Sequence, residues 1–204
     1  MGIVQDVANY KLKMRHLKLL KKSVRHWNLY RKLSKEKVID LREVDLAFEE
    51  LSNANLYKVN LSYSNLVGID LEGAVLTKAN FYFVNLSGAY LSNAEGAFAN
   101  FSNANLSVAN CSNANLYHAN FSHAKLNGCK FCHTCLIGVN LTNSCWPLNE
   151  SVEEAEIDSG LIRQLLFKAF MPTQNSDIKL DADIKKLFKL KSFLNVIDKY
   201  EEKE

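Results

Sequence analysis

The side chains best equipped for chemistry in this 204-residue chain crowd into one string, Cys129-Lys-Phe-Cys132-His133-Thr-Cys135. Its first five residues have the Cys-x-x-Cys-His spacing used to attach c-type haem, and three thiols at intervals of three are a donor set suited to zinc. Either use needs the donors to converge on one point, so the question passes to the element that carries them. His118, His123 and His133 are the remaining candidates for an enzyme constellation. No Gly-rich phosphate loop, paired carboxylate or Ser-His-Asp grouping can be placed anywhere in the sequence.

The carrying element has an unusual period. From Leu41 to Leu141 every fifth residue is Leu or Phe, with only Gly96 and Cys111 departing among 21 positions. The residue two before is small at most of them, including an unbroken series from Ala94 through Ala124, with Val, Ile, Ser, Thr or Cys at most others, and Asn is the commonest residue in between. A period of five matches neither the 3.6 of a helix nor the 2 of a strand, so neither regular element can bury both the large and the small apolar residue. A chain that turns a corner every five residues can. Four pentads then close a square coil, residues 20 apart lie one above the other, and backbone groups pair with the next coil at about 4.8 Å.

Each pentad, as in Ser102-Asn-Ala-Asn-Leu106, resembles the A(D/N)LXX unit of the pentapeptide-repeat family. That resemblance implies a mainly β fold, a right-handed quadrilateral β-helix of about five coils. It implies little about function, since a repeat scaffold carries many roles. Read as columns, the twenty-residue register puts Leu61, Phe81, Phe101, Phe121 and Leu141 inward in one stack, and Leu56, Leu76, Gly96, Leu116 and Leu136 in another, with Leu126 in the same interior. Gly96 leaves a gap, for which a local bulge or a turned-in Phe98 is preferred to a ligand cavity. Outside, Asn60, Asn80, Asn100, Asn120 and Asn140 form a column whose amides can hydrogen-bond along the rod.

The register disposes of the candidate chemistry. Cys129 falls at an inward small position above Ala109, whereas Cys132, His133 and Cys135 fall outside, and thiols on opposite sides of a wall cannot share a metal. The three histidines occupy equivalent slots, but no two are 20 residues apart, so they do not stack. No catalytic residue, cofactor, metal or small-molecule substrate is expected, and Cys111 reads as a small core hydrophobe. The surface feature that stands out is aromatic: Tyr63 and Phe83 share an outward column, Tyr82 adjoins Phe83, and Phe98 lies between Lys78 and His118. Exposed aromatics on a rigid wall suggest a protein contact, with packed decoration as the other reading.

The flanks change period. Over residues 4–27, Val7, Tyr10, Met14, Leu17, Leu20, Val24 and Trp27 recur at three or four and predict one basic amphipathic helix. The following Trp27-Asn-Leu-Tyr-Arg31 and Ile39-Asp-Leu41 are similar to the segment by which bacterial pentapeptide-repeat proteins pass from a helix into the first coil. Beyond Pro147, Ser151 and Glu154 have capping-box spacing and predict a helix carrying Ile157, Leu161, Ile162, Leu165, Leu166 and Phe170; Ile184 to Tyr200 predicts a last one. The expected organisation is residues 1–37 as a basic helical cap, 38–147 as the pentapeptide-repeat β-helix, and 148–204 as a helical cap that can also serve dimerisation. Open coil ends expose unpaired backbone, so caps are expected on physical grounds.

Charge is uneven: residues 1–40 sum to +8, residues 41–146 to −2 and residues 147–204 to −3. No run of 18 apolar residues exists and the amino terminus lacks a signal-peptide pattern, so a soluble cytoplasmic protein with reduced thiols is expected. The expected function is a non-catalytic scaffold or protein-interaction module with an unidentified protein partner. One alternative is association with anionic membrane or nucleic acid through the basic amino-terminal helix. Another is a topoisomerase-protecting DNA mimic, which the near-neutral repeat surface disfavours.

Overall fold

The computed structural model describes residues 2–34, 36, 38–145, 155–158, 160, 161 and 164. Two helices, α1 (Gly2–Lys22) and α2 (Val24–Leu33), lead into two short parallel strands, β1 (Ile39–Asp40) and β2 (Val59–Asn60), with Ile39 opposite Val59. From there single parallel bridges recur every five residues, each to a partner 20 or, once, 21 residues on: Asp45 with Asn65, Glu50 with Asp70, Asn55 with Val75, and so on to Cys135 with Glu156. The chain is therefore a β-helix with four bridged sides per coil. Adjacent coils are stitched in both directions, Leu41 N donating to Asn60 O at 2.7 Å and Asn65 N donating to Val44 O at 2.9 Å.

Every corner has one conformation. Val59 N donates to Leu56 O at 3.0 Å across Tyr57 and Lys58, and Lys58 has φ 56°. A four-residue turn with positive φ at its third residue is the type II arrangement, which favours Gly or Asn there. All 21 such positions from Glu43 to Asn143 are left-handed, five of them Gly and the other 16 not. Asn suits the slot, but Phe48, Tyr63, Phe83, Phe98 and Val108 occupy it too, against a steric cost of about 1–2 kcal/mol each.

The interior is a set of columns. Phe81, Phe101 and Phe121 are fully buried and stack with ring centroids 4.9 Å apart and nearly parallel planes, while Phe131 meets Phe121 edge-on at 6.2 Å. Leu116 and Leu126 are buried beside them. Gly96 does not behave as expected. The coil continues through it without a bulge, with Gly96 N donating to Asn115 O at 2.7 Å, and Phe98 points outward. Leu116 closes the gap: a Cβ built on Gly96 would lie 2.8 Å from its Cδ2, so the larger side chain one coil up uses the room that glycine leaves.

The expected single helix over residues 4–27 is two helices. Ser23 breaks it and its hydroxyl accepts from His26 N at 3.4 Å. Of the apolar face only Leu20 and Trp27 are buried, whereas Val7, Tyr10 and Met14 are exposed, so the rod covers the later part of that face and leaves the earlier part bare. α2 completes the open edge of the first coil. Trp27 Nε1 donates to Asn55 O at 2.8 Å, Asn28 Nδ2 donates to Asn53 O at 2.9 Å, Asn28 Oδ1 accepts from Asn55 N at 2.8 Å, and Arg31 donates to Tyr57 O. Asn55 N, Asn55 O and Tyr57 O are groups that a preceding coil would have paired.

At the other end Glu156 continues the backbone pairing, donating to Thr134 O at 2.9 Å and accepting from Leu136 N at 2.8 Å. Asp158 Oδ2 accepts from Gly138 N at 2.7 Å, and Gln164 accepts from Leu141 N and donates to Val139 O. Ala155 and Leu161 are buried there. A helix running through Ile157 is thereby corrected: Ile157 is not helical, the described helical residues are 160, 161 and 164, and Asp158 Oδ1 caps them by accepting from Leu161 N at 2.7 Å. The Ser151 and Glu154 capping box, residues 165–170 and the expected last helix from Ile184 to Tyr200 lie outside the described residues.

Candidate interaction surface

One side of the rod collects the outward aromatics. Its middle is the Asn column, where Asn80 donates to Asn60 at 3.0 Å, Asn100 to Asn80 at 3.0 Å, Asn120 to Asn100 at 3.4 Å and Asn140 to Asn120 at 3.2 Å. Each Oδ1 also accepts from the backbone two residues on, as Asn60 does from Ser62 N at 3.1 Å, so the amides are locked by their own turns. A flat polar strip results, with a corner along either edge.

On one corner Tyr63 stacks on Phe83 at 5.8 Å, and Tyr82 meets both rings edge-on at 5.5 and 4.9 Å. On the other Phe98 stacks on His118 at 5.5 Å, Tyr117 is edge-on to both, and Lys78 Nζ lies 5.8 Å from the Phe98 ring centre. Tyr63, Phe83 and Phe98 remain 56%, 52% and 49% exposed despite these contacts. The two clusters face solvent on either side of the Asn strip. Over residues 57–143 this side and its two corners carry no acidic residue, while Lys58, Lys78, His118 and His123 lie on its corners and Asp158 meets one of them at its top through Gly138 N. The carboxylates gather elsewhere, at Glu49, Glu50, Asp70 and Glu72.

Tyr117 belongs to this surface although the period alone does not single it out. Its exposure arises from its place beside the left-handed His118, a conformation that a count of apolar residues cannot reveal. Phe48 at 75% exposed is a separate outlier that lies over Gly68 on a neighbouring corner.

The thiols are divided by the wall. Cys129 is buried, and its Sγ is 3.7 Å from that of Cys111, a diagonal contact between coils that reading straight columns misses. Burial first, then the Cys111 thiol, raises the Cys129 pKa well above the ordinary thiol value, so it is held neutral and unreactive. Cys132 and Cys135 are half-buried on the outside, where burial also raises Cys135. Cys135 and His133 border an open groove of about 450 Å³ with Tyr117 and Glu156. Among the described residues no three His, Cys, Asp or Glu side chains are grouped to hold a metal.

The chain matches the family model for pentapeptide repeats in eight copies, over residues 39–77, 54–93 and 97–131. No curated protein matches it by sequence. Among solved structures it is 31% identical to a pentapeptide repeat protein from the thylakoid lumen of Arabidopsis thaliana, across 48% of this chain and 68% of that one, with a TM-score of 0.47. It is 18% identical to QnrB1, a plasmid-mediated fluoroquinolone resistance protein, across 64% of this chain and 68% of that one, TM-score 0.42. HetL, a pentapeptide repeat protein involved in heterocyst differentiation regulation from the cyanobacterium Nostoc, is 20% identical across 63% of this chain and 92% of its own, TM-score 0.25.

Proposed function

The chain belongs to the pentapeptide-repeat family, and from that premise we propose that it is a non-catalytic cytoplasmic scaffold whose aromatic side docks a protein partner. The rod in this reading is a right-handed quadrilateral β-helix of about five coils. The observation that carries the proposal is the placement of Tyr63, Phe83 and Phe98 at left-handed corners. Gly or Asn would relieve the backbone there, and none of the three rings is buried to compensate. Large apolar side chains kept exposed in a strained conformation are what a contact surface needs, since rigid aromatics supply area at little entropic cost.

A DNA-mimicking role is the weaker reading, because the repeat carboxylates stop at Glu95 and gather mostly at Glu43, Asp45, Glu49, Glu50, Asp70 and Glu72 instead of tracking the length of the rod. The test replaces Tyr63, Phe83 and Phe98 together by Asn, which fits the corner conformation. Affinity purification from the native host is then compared between the two proteins. A partner retained by the natural chain and lost from the triple variant, which unfolds at no lower temperature, supports the reading. Retention of every partner by the variant refutes it.

A further inference from the structure

The part of α1 that the rod leaves bare is a second, separate surface. Val7, Tyr10 and Met14 follow one another at three and four residues and form a stripe that runs on into the core-packed Leu17. The same period brings Leu20 into full burial against the rod, yet Val7, Tyr10 and Met14 are 47%, 62% and 40% exposed. The docking contacts belong to the carboxyl-terminal half of α1, where Leu17 and Leu20 pack against the core. His16 is buried there with Nε2 2.8 Å from the Tyr30 hydroxyl, and Lys13 donates to Arg42 O. The amino-terminal part of the stripe, Val7, Tyr10 and Met14, is therefore left uncovered ahead of the contacts that hold the helix in place.

Its neighbours are cationic. Lys11, Arg15 and Lys18 are exposed along the stripe, and the only acidic residue in α1 is Asp6. An apolar stripe edged by long basic side chains matches the chemistry of an anionic bilayer surface, where the rings and aliphatic groups enter the acyl boundary and the ammonium groups meet lipid phosphates and carboxylates. Nucleic acid would use the cations but has no use for the stripe. No helix among the described residues is long and apolar enough to cross a membrane, so the helix would lie on the surface and not span it.

We propose that α1 is an interfacial anchor that holds the rod against an anionic lipid membrane through Val7, Tyr10, Met14 and the lysines beside them. The test is flotation with vesicles of phosphatidylcholine alone or with about 30% phosphatidylserine. The natural chain is expected to float with the anionic vesicles at least roughly tenfold better than with the neutral ones, and less so at high salt. Tyr10→Ser with Met14→Ser keeps the charge and should abolish flotation while the rod unfolds at the same temperature. Lys11→Glu with Lys18→Glu should do the same, whereas Tyr63→Asn with Phe83→Asn should leave flotation intact, which separates this proposal from the protein-docking one. Failure of the natural chain to float overturns it. So does duplex DNA binding that survives Tyr10→Ser with Met14→Ser in a chain that does not float, or a dimer in light scattering that this pair dissolves without any vesicle binding.

Discussion

The two ends of the rod solve the same problem by different means. Beneath the first coil the missing neighbour is imitated by side chains: Trp27, Asn28 and Arg31, all from α2, satisfy Asn53, Asn55 and Tyr57. Above the last coil the backbone itself makes one more rung at Glu156, and two side chains, Asp158 and Gln164, reach further groups. Because each coil meets only its neighbours, an end is stabilised on one face only, and whatever closes it sets how readily the stack frays. A fully buried indole closes one end with apolar area as well as a hydrogen bond, whereas among the described residues the other end is met by the smaller Ala155 and Leu161 together with these polar contacts.

Breaking that asymmetry tests it. Trp27→Ala should have the largest effect, about 3–5 kcal/mol in chemical denaturation, because it opens a cavity and leaves Asn55 O without its donor. Asp158→Ala removes no comparable area and should cost about 1–3 kcal/mol, the penalty of leaving Gly138 N and Leu161 N unpaired, with faster amide exchange confined to the last coil. Equal losses for the two would show that the ends are closed alike.

Acid should loosen only the helical end. Burial, opposed by the Glu36 carboxylate, holds the His16 imidazole below its ordinary pKa. The fold therefore selects the neutral ring, and the associated stability is complete above the unfolded-state value of about 6.5 and is lost as the pH falls through the lower folded-state value. Between pH 7.5 and 5, amide protection in α1 and α2 should drop while that of Gly138 and Leu141 holds, and His16→Gln should remove the difference. Smallest in effect, Val108→Asn in the middle of the rod should raise stability by about 1 kcal/mol. It relieves a β-branched residue at φ 55° and touches neither end.

The period of five was enough to put Phe81, Phe101 and Phe121 in one column and the five Asn residues in another, because those positions repeat every 20 residues without exception of type. What lay off the straight column was not legible. Cys111 and Cys129 meet on a diagonal, and Leu116 fills the space left by Gly96 through side-chain freedom that a one-letter register does not encode. The left-handed corner was hidden for another reason: Asn and Gly announce it, but Lys, Phe, Tyr and Val in the same slot dilute the signal. The break at Ser23 was masked because the apolar period runs through it in phase, from Leu20 to Val24 to Trp27. In the carboxyl-terminal segment the apolar period included Ile157 in a helix, whereas the cap that forms at Asp158 follows from the last coil needing partners at Gly138 and Leu141.

The uniform corner has a consequence for how such a chain can change in length. Since all 21 turns share one conformation, an insertion of 20 residues would add a coil and move the ends apart by about 4.8 Å while every side kept its own face. An insertion of five would instead rotate everything beyond it by a quarter turn, and the Tyr63 and Phe83 corner would no longer stand on the same edge as the rungs above it. The rod is in that sense a ruler with a fixed graduation, on which distance between the ends can vary in whole steps and the direction a surface faces can vary in right angles.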